Sequence, residues 1–159
     1  MKKQKRVGGF HMRIKYIENL EQWVSEFTFF TEVKVRFSET DMYGHLNNTV
    51  PFVYFEQARI EYLHSTGIVK DWNKNNSDTI IVVADLQCDF VQQAFFNDKI
   101  KIYVKTAQVG SSSIDIHYLG KNEKEQPVFT GRGALVQLNP KTGKSVPFTD
   151  EEKKLLLGK

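Results

Sequence analysis

Apolar residues along this chain keep two periods. Leu20, Trp23, Val24 and Phe27 fall at i, i+3, i+4 and i+7, one face of a short amphipathic helix with Asn19 as its N-cap. From Thr31 to Ser38 the period drops to two. Val33, Val35 and Phe37 alternate with Glu32, Lys34 and Arg36, which predicts a half-buried strand. Residues 38–48, SETDMYGHLNN, are polar and dense in turn formers, so a loop is expected. No breaker occurs between Pro51 and Gly67. Pro51 fits the first helical turn, Asn47 or Asn48 the N-cap, and Gly67 the position just past the end. His64 falls in the last turn, where the helix dipole favours positive charge. The prediction is a helix of about 18 residues, roughly 27 Å long. Its first half, Val50 to Phe55, is apolar on every side, so it must be buried, and a sheet is the partner available.

The remainder reads as strands. Ile80, Val82, Ala84, Leu86, Cys88 and Phe90 share one face of a long segment. Ile100, Ile102 and Val104 alternate with Lys99, Lys101, Tyr103 and Lys105. A Gly110-Ser111-Ser112-Ser113 turn leads to Ile114, Ile116 and Tyr118, and the polar KNEKEQP hairpin leads to Val128–Leu138. Short turns between successive strands require antiparallel pairing. Thr149-Asp150-Glu151-Glu152 is a capping-box pattern before a short terminal helix. The expected class is α+β, with five antiparallel strands wrapped around one long helix and the outer sheet face mostly polar.

Composition narrows the function. With 22 Lys+Arg against 19 Asp+Glu the net charge is +3, too balanced to argue for nucleic acid. The single cysteine, Cys88, excludes an intrachain disulfide, and the four histidines are scattered, so no metal ligand set is visible and metal-independent chemistry is expected. The basic start, MKKQKRVGGFHM, leads into no apolar run of about 7–15 residues, so a secretory signal is not expected and a cytoplasmic protein is. Met12 offers a second candidate start. No stretch approaches the roughly 18 apolar residues of a membrane span.

The loop holds the candidate chemistry. Glu39-Thr40-Asp41-Met42-Tyr43-Gly44-His45-Leu46-Asn47-Asn48, followed by Tyr54-Phe55-Glu56-Gln57-Ala58-Arg59-Ile60-Glu61, resembles the hotdog-fold acyl-CoA thioesterases of the 4-hydroxybenzoyl-CoA thioesterase type. Their pattern is roughly T-D-x-x-G-H-x-N-N, then Y-F-E-x-A-R-x-E. The resemblance covers about residues 31–140, and the ending LNPKTGKSVPF is also similar. It implies a hotdog domain, placed here at 31–148 between a leader with its short helix (1–30) and a terminal helix (149–159). It also implies hydrolysis of an acyl-CoA with no cofactor, and a homodimer or homotetramer with active sites at the subunit interface. In such enzymes the aspartate of the motif is nucleophile or general base, and a backbone N–H at the helix start polarises the thioester carbonyl. By motif position these are Asp41 and the amide of Asn48, with His45 beside them and substrate contacts at Tyr43, Asn47 and Phe55.

Each residue also has a plainer reading. Asp41 can make an Asx turn, Asn47 and Asn48 can cap the helix, and His45 can simply orient the loop. Phe52, Tyr54 and Phe55 read as core first and acyl-pocket lining second. Glu56 and Arg59, at i and i+3, are expected to form an ion pair, structural or bridging subunits. Lys99, Lys101 and Lys105 read as a solvated face, with CoA phosphate binding the sharper option. Two other functions stay open. One is a non-catalytic acyl-CoA-binding module; the other is a hydratase or dehydratase using an Asp41–His45 pair.

Overall fold

The computed structural model describes residues 14–69 and 78–159. The order is α1 (Leu20–Ser25), β1 (Phe29–Lys34), α2 (Val50–Thr66), β2 (Ile80–Val83), β3 (Gln87–Phe90), β4 (Lys99–Val109), β5 (Ser113–Lys121), β6 (Pro127–Leu138) and α3 (Asp150–Leu156). All strand pairs are antiparallel, in the order β1-β4-β5-β6-β2, with β3 also pairing to β6. α2 lies against the inner face, on β1 and β4. This is the hotdog arrangement that the motif resemblance implies, in the α+β class expected from the strand and helix pattern.

α2 begins and ends close to its expected limits. Gly67 closes it in the left-handed region at φ 81°, and His64 sits in the last turn. The N-cap, however, is Thr49, which makes no side-chain cap bond. Asn47 acts two residues earlier: its Oδ1 accepts from the Thr49 N–H at 3.0 Å and from Thr49 Oγ1 at 2.9 Å. The sheet-facing side of α2 buries Tyr54, Phe55, Ala58, Arg59 and Leu63. Phe55 stacks on Tyr118 of β5 with ring centroids 4.3 Å apart. It also fills the space over Gly131, where a Cβ would meet its ring at 2.5 Å. α3 carries its capping box on Thr149 and Glu152 and sends Leu156 into the same core.

Three further expectations change. The segment 80–90 is not one strand but two, so the sheet has six strands rather than five. Between them the Asp85 carboxylate takes the Ala134 N–H at 2.8 Å, and the Asp85 carbonyl lies 2.7 Å from where a Cβ on Gly133 would stand. A side chain thus replaces a ladder bond, and the chain bulges over a glycine. The bulge shifts the face: Ile81, not Ile80 or Val82, joins Leu86 and Cys88 against the core. Secondly, β1 ends at Lys34, and Phe37 enters a 3-10 turn, Phe37–Glu39, where it is exposed. Thirdly, the outer face is not merely polar. Ile17, Trp23 and Phe27 close over Leu119 as a second buried cluster. Lys105 is buried beneath them, paired with Glu26 and donating to the Trp23 carbonyl at 3.1 Å, so it is no part of a solvated lysine face. Among the described residues no helix is long and apolar enough to cross a membrane.

Candidate active site

The loop between β1 and α2 is a small closed hairpin. At its base the Asn47 N–H donates to the Glu39 carbonyl at 2.8 Å, and Thr40 and Leu46 form an antiparallel bridge. Above that, the Asp41 N–H donates to the His45 carbonyl at 2.8 Å, and the Gly44 N–H returns to the Asp41 carbonyl at 3.0 Å. The reversal needs φ +77° at Gly44, a conformation that L side chains resist. A second segment holds the loop from the side: the Leu46 N–H donates to the Ala94 carbonyl at 2.7 Å, and His45 bridges Phe95.

Asp41 is half-buried at the turn. Its Oδ1 accepts the N–H groups of Tyr43 (2.8 Å) and His45 (3.1 Å), so the Asx-turn role is real. Among the described residues its Oδ2 accepts no hydrogen bond. The Asn48 N–H, exposed at the approach to α2, likewise has no partner among the described residues. The next amides differ: those of Thr49 and Val50 both bond back to Asn47, and residue 51 is proline. One loop therefore offers an acceptor oxygen and an N–H donor that no described residue satisfies, beside the positive end of a 17-residue helix.

The His45 ring lies 6.3 Å from that of Tyr43 and 5.3 Å, edge to face, from that of Phe95. It makes no hydrogen bond among the described residues; His45 meets Asp41 through its backbone. Tyr43 and Met42 are 75% and 89% exposed at the loop tip. Phe95, Phe96 and Phe37 are exposed as well, and Phe37 packs edge to face on Phe96. Phe55, by contrast, is fully buried against Tyr118 and Phe129.

The expected Glu56–Arg59 pair does not form. Arg59 is on the sheet-facing side and donates Nη1 to Tyr118 Oη at 3.0 Å, while Glu56 is exposed. Glu39 and Tyr54 acquire a part that the motif alone did not suggest. Glu39 Oε2 accepts both the Arg36 N–H (2.8 Å) and Tyr54 Oη–H (2.6 Å). Residues 15 apart in sequence carry no local signal for such a bond. Cys88 is no candidate nucleophile, because burial, with the nearby Asp89 charge, pushes its thiol up to about 12. No group of three or more His, Cys, Asp or Glu that could hold a metal exists among the described residues.

Comparison with known proteins identifies the family. The family model described as the thioesterase-like superfamily matches residues 35–156. The protein YsmA of Bacillus subtilis is 47% identical over 137 residues, which is 86% of this chain and 90% of that protein. The chloroplastic acyl-acyl carrier protein thioesterase of Arabidopsis thaliana is 28% identical over 111 residues, 69% of this chain and 58% of that one. Among solved structures, a Thermus thermophilus thioesterase complexed with coenzyme A and Zn is 29% identical with a TM-score of 0.71, covering 82% of this chain and 98% of that one.

Proposed function

This chain belongs to the thioesterase-like superfamily, and from that premise we propose that it hydrolyses an acyl-CoA thioester to free acid and CoA. The observation that carries the proposal is the pair of unsatisfied groups in one loop, Asp41 Oδ2 and the Asn48 N–H. Thioester hydrolysis requires a donor for the oxygen that becomes an oxyanion. The Asn48 N–H, at the positive end of α2, meets that need. It also requires a base that takes a proton from water, or a carboxylate that attacks the carbonyl carbon. The free Asp41 oxygen serves either way, while Oδ1 stays bound to two amides that hold the carboxylate in place. In the general-base route water adds to the carbonyl, its proton passes to Asp41, and the thiolate of CoA leaves and takes that proton. His45, with its ring between two aromatic rings, keeps the loop in shape. Tyr43 and Asn47 border the entry, and Phe55 stiffens the floor beneath.

The hydratase alternative needs an imidazole working with Asp41. The His45 backbone, not its ring, meets that carboxylate, which favours hydrolysis. Release of free thiol from a panel of acyl-CoA and acyl carrier protein thioesters tests the reading. Turnover with loss of the thioester supports it. Binding without thiol release, or hydration of an enoyl substrate alone, refutes it.

The working unit in this proposal is a homodimer or a homotetramer. The free edges of β2 and β3 invite pairing with another copy, and Val53 and Phe90 stand 60% and 46% exposed. Sedimentation at micromolar concentration should report a multiple of the 18.4 kDa chain; the monomer mass would refute it.

A further inference from the structure

The Glu39–Tyr54 contact joins the two parts on which the proposed chemistry depends. Glu39 begins the loop that carries Asp41, and its own carbonyl closes the loop base through the Asn47 N–H at 2.8 Å. Tyr54, in the first turns of α2, is 5% exposed and reaches back to the Glu39 carboxylate at 2.6 Å. The same carboxylate oxygen holds the Arg36 N–H at 2.8 Å, which fixes the 3-10 turn leading into the loop. Three pieces of chain therefore converge on Glu39: the segment after β1 and the helix meet its Oε2, and the end of the loop meets its backbone carbonyl.

We propose that Glu39 and Tyr54 are positioning residues that set the spacing between the Asp41 carboxylate and the N–H donor at the start of α2. This rests on the hydrolytic reading above. Neither residue reaches the reacting atoms. Their effect is on alignment, which governs how often a bound thioester has its carbonyl on the donor and its carbon facing the carboxylate at once. The phenol stays a donor throughout the working pH range, because burial, reinforced by the Glu39 carboxylate, raises its pKa well above the ordinary tyrosine value. Glu39 is half-buried and accepts two hydrogen bonds, so removing either donor leaves a carboxylate with an incomplete shell and a loop base free to shift.

The test compares Tyr54→Phe, Glu39→Gln and Glu39→Ala with the parent protein. Tyr54→Phe keeps the ring in the core and removes only the hydroxyl. It should lower kcat about ten- to a hundredfold with KM unchanged, the mark of lost alignment rather than lost binding. Glu39→Gln keeps an acceptor oxygen and should retain most of the turnover, whereas Glu39→Ala should fall as far as Tyr54→Phe. The double variant Glu39→Ala/Tyr54→Phe should fall no further than Glu39→Ala alone, since that change already removes the Tyr54 contact along with the Arg36 one. Glu39→Ala supplies the same readout should Tyr54→Phe fold poorly. Parental kcat in a folded Tyr54→Phe overturns the proposal. So does a loss of activity that follows the melting temperature and appears equally in Glu39→Gln. Amide hydrogen exchange separates this inference from the hydrolytic reading. Faster exchange at Leu46 and Asn47 in Tyr54→Phe supports the brace even if the parent hydrolyses no thioester, and unchanged protection there refutes it.

Discussion

Two segments are laid over the body of this protein by polar contacts, and they are finished differently. The strap, Ile14–Phe27, crosses the outer sheet face and leaves little unsatisfied beneath it. Trp23 Nε1–H donates to His117 Nδ1 at 2.9 Å, and His117 Nε2 meets Asp115 Oδ2 at 3.0 Å. Asp115 is held by Arg132 at 2.6 and 3.0 Å, and Arg132 reaches on to Asp85 at 3.1 Å. Tyr16 Oη bonds both Asp89 and Thr130. The loop, residues 39–49, is equally well hydrogen-bonded at its base, yet among the described residues it leaves an acceptor open at the Asp41 turn and a donor open where it joins α2. A segment whose polar groups are all satisfied internally is doing structural work. One that is braced and still has open polar groups is, in the proposed reading, the one that meets a substrate.

That contrast predicts opposite responses to substitution. The largest effect is expected at the loop. Asp41→Asn keeps the oxygen that accepts from Tyr43 and His45, so the turn and the melting temperature should survive. It cannot ionise, and turnover should fall by about 10²–10⁴ with little change in KM. Activity within a few-fold of the parent would return Asp41 to a turn residue. The strap should behave the other way. Trp23→Ala removes the centre of the outer cluster and should cost about 3–5 kcal/mol in urea unfolding. Turnover per folded molecule should persist at temperatures below the melting transition. A Trp23→Ala protein that is fully stable but inactive would erase the distinction between the two segments.

The smallest expected effect is on pH dependence. Burial lowers the pKa of His117, with Lys105 and Arg132 adding to it and Asp115 opposing. The neutral ring is the one that accepts the Trp23 N–H. The folded state therefore binds the His117 proton less readily than the unfolded state does. This contribution to stability is complete above the unfolded histidine value of about 6.5 and declines as pH falls below it toward the depressed folded value. Urea midpoints measured from pH 7.5 to 5 should fall on the acidic side, and His117→Gln should flatten that slope. An identical slope in the variant would assign the effect elsewhere. Asp115 and Glu26 also face this cluster: Asp115 is bonded to Arg132, and the Lys105 hydrogen bond holds the pKa of Glu26 below the usual carboxylate range, so Glu26 protonates at lower pH.

Both ends of α2 are legible in the sequence because cap chemistry is local: Gly67, Pro51 and the asparagines lie within a few residues of what they terminate. The capping box at Thr149 and Glu152 is legible for the same reason. The Asp41 turn can be read from the spacing to Gly44. The break in the 80–90 segment cannot, since the period of two runs on through it. It is made by Asp85 reaching a backbone amide 49 positions away and by the space over Gly133. Lys105 reads as solvated until the strap covers it. Arg59 and Glu56 have the spacing of a pair, but one side of α2 faces the sheet and the other faces solvent. Tyr54 reads as core and is core, while its hydroxyl reaches the loop, a contact no local pattern encodes.

The glycines of β6 bear on how variation in this chain is interpreted. Gly131 yields its space to the Phe55 ring, and Gly133 to the Asp85 carbonyl and the Leu86 side chain. A survey of tolerated substitutions would mark both positions as intolerant as Asp41, although neither touches any chemistry. Intolerance alone would thus draw a false active site along the middle of the sheet. Protein abundance should separate the two kinds of position: if Asp41 acts as proposed, its variants should accumulate as folded chain, whereas a methyl group at Gly131 would meet the Phe55 ring and should lower the amount of folded protein.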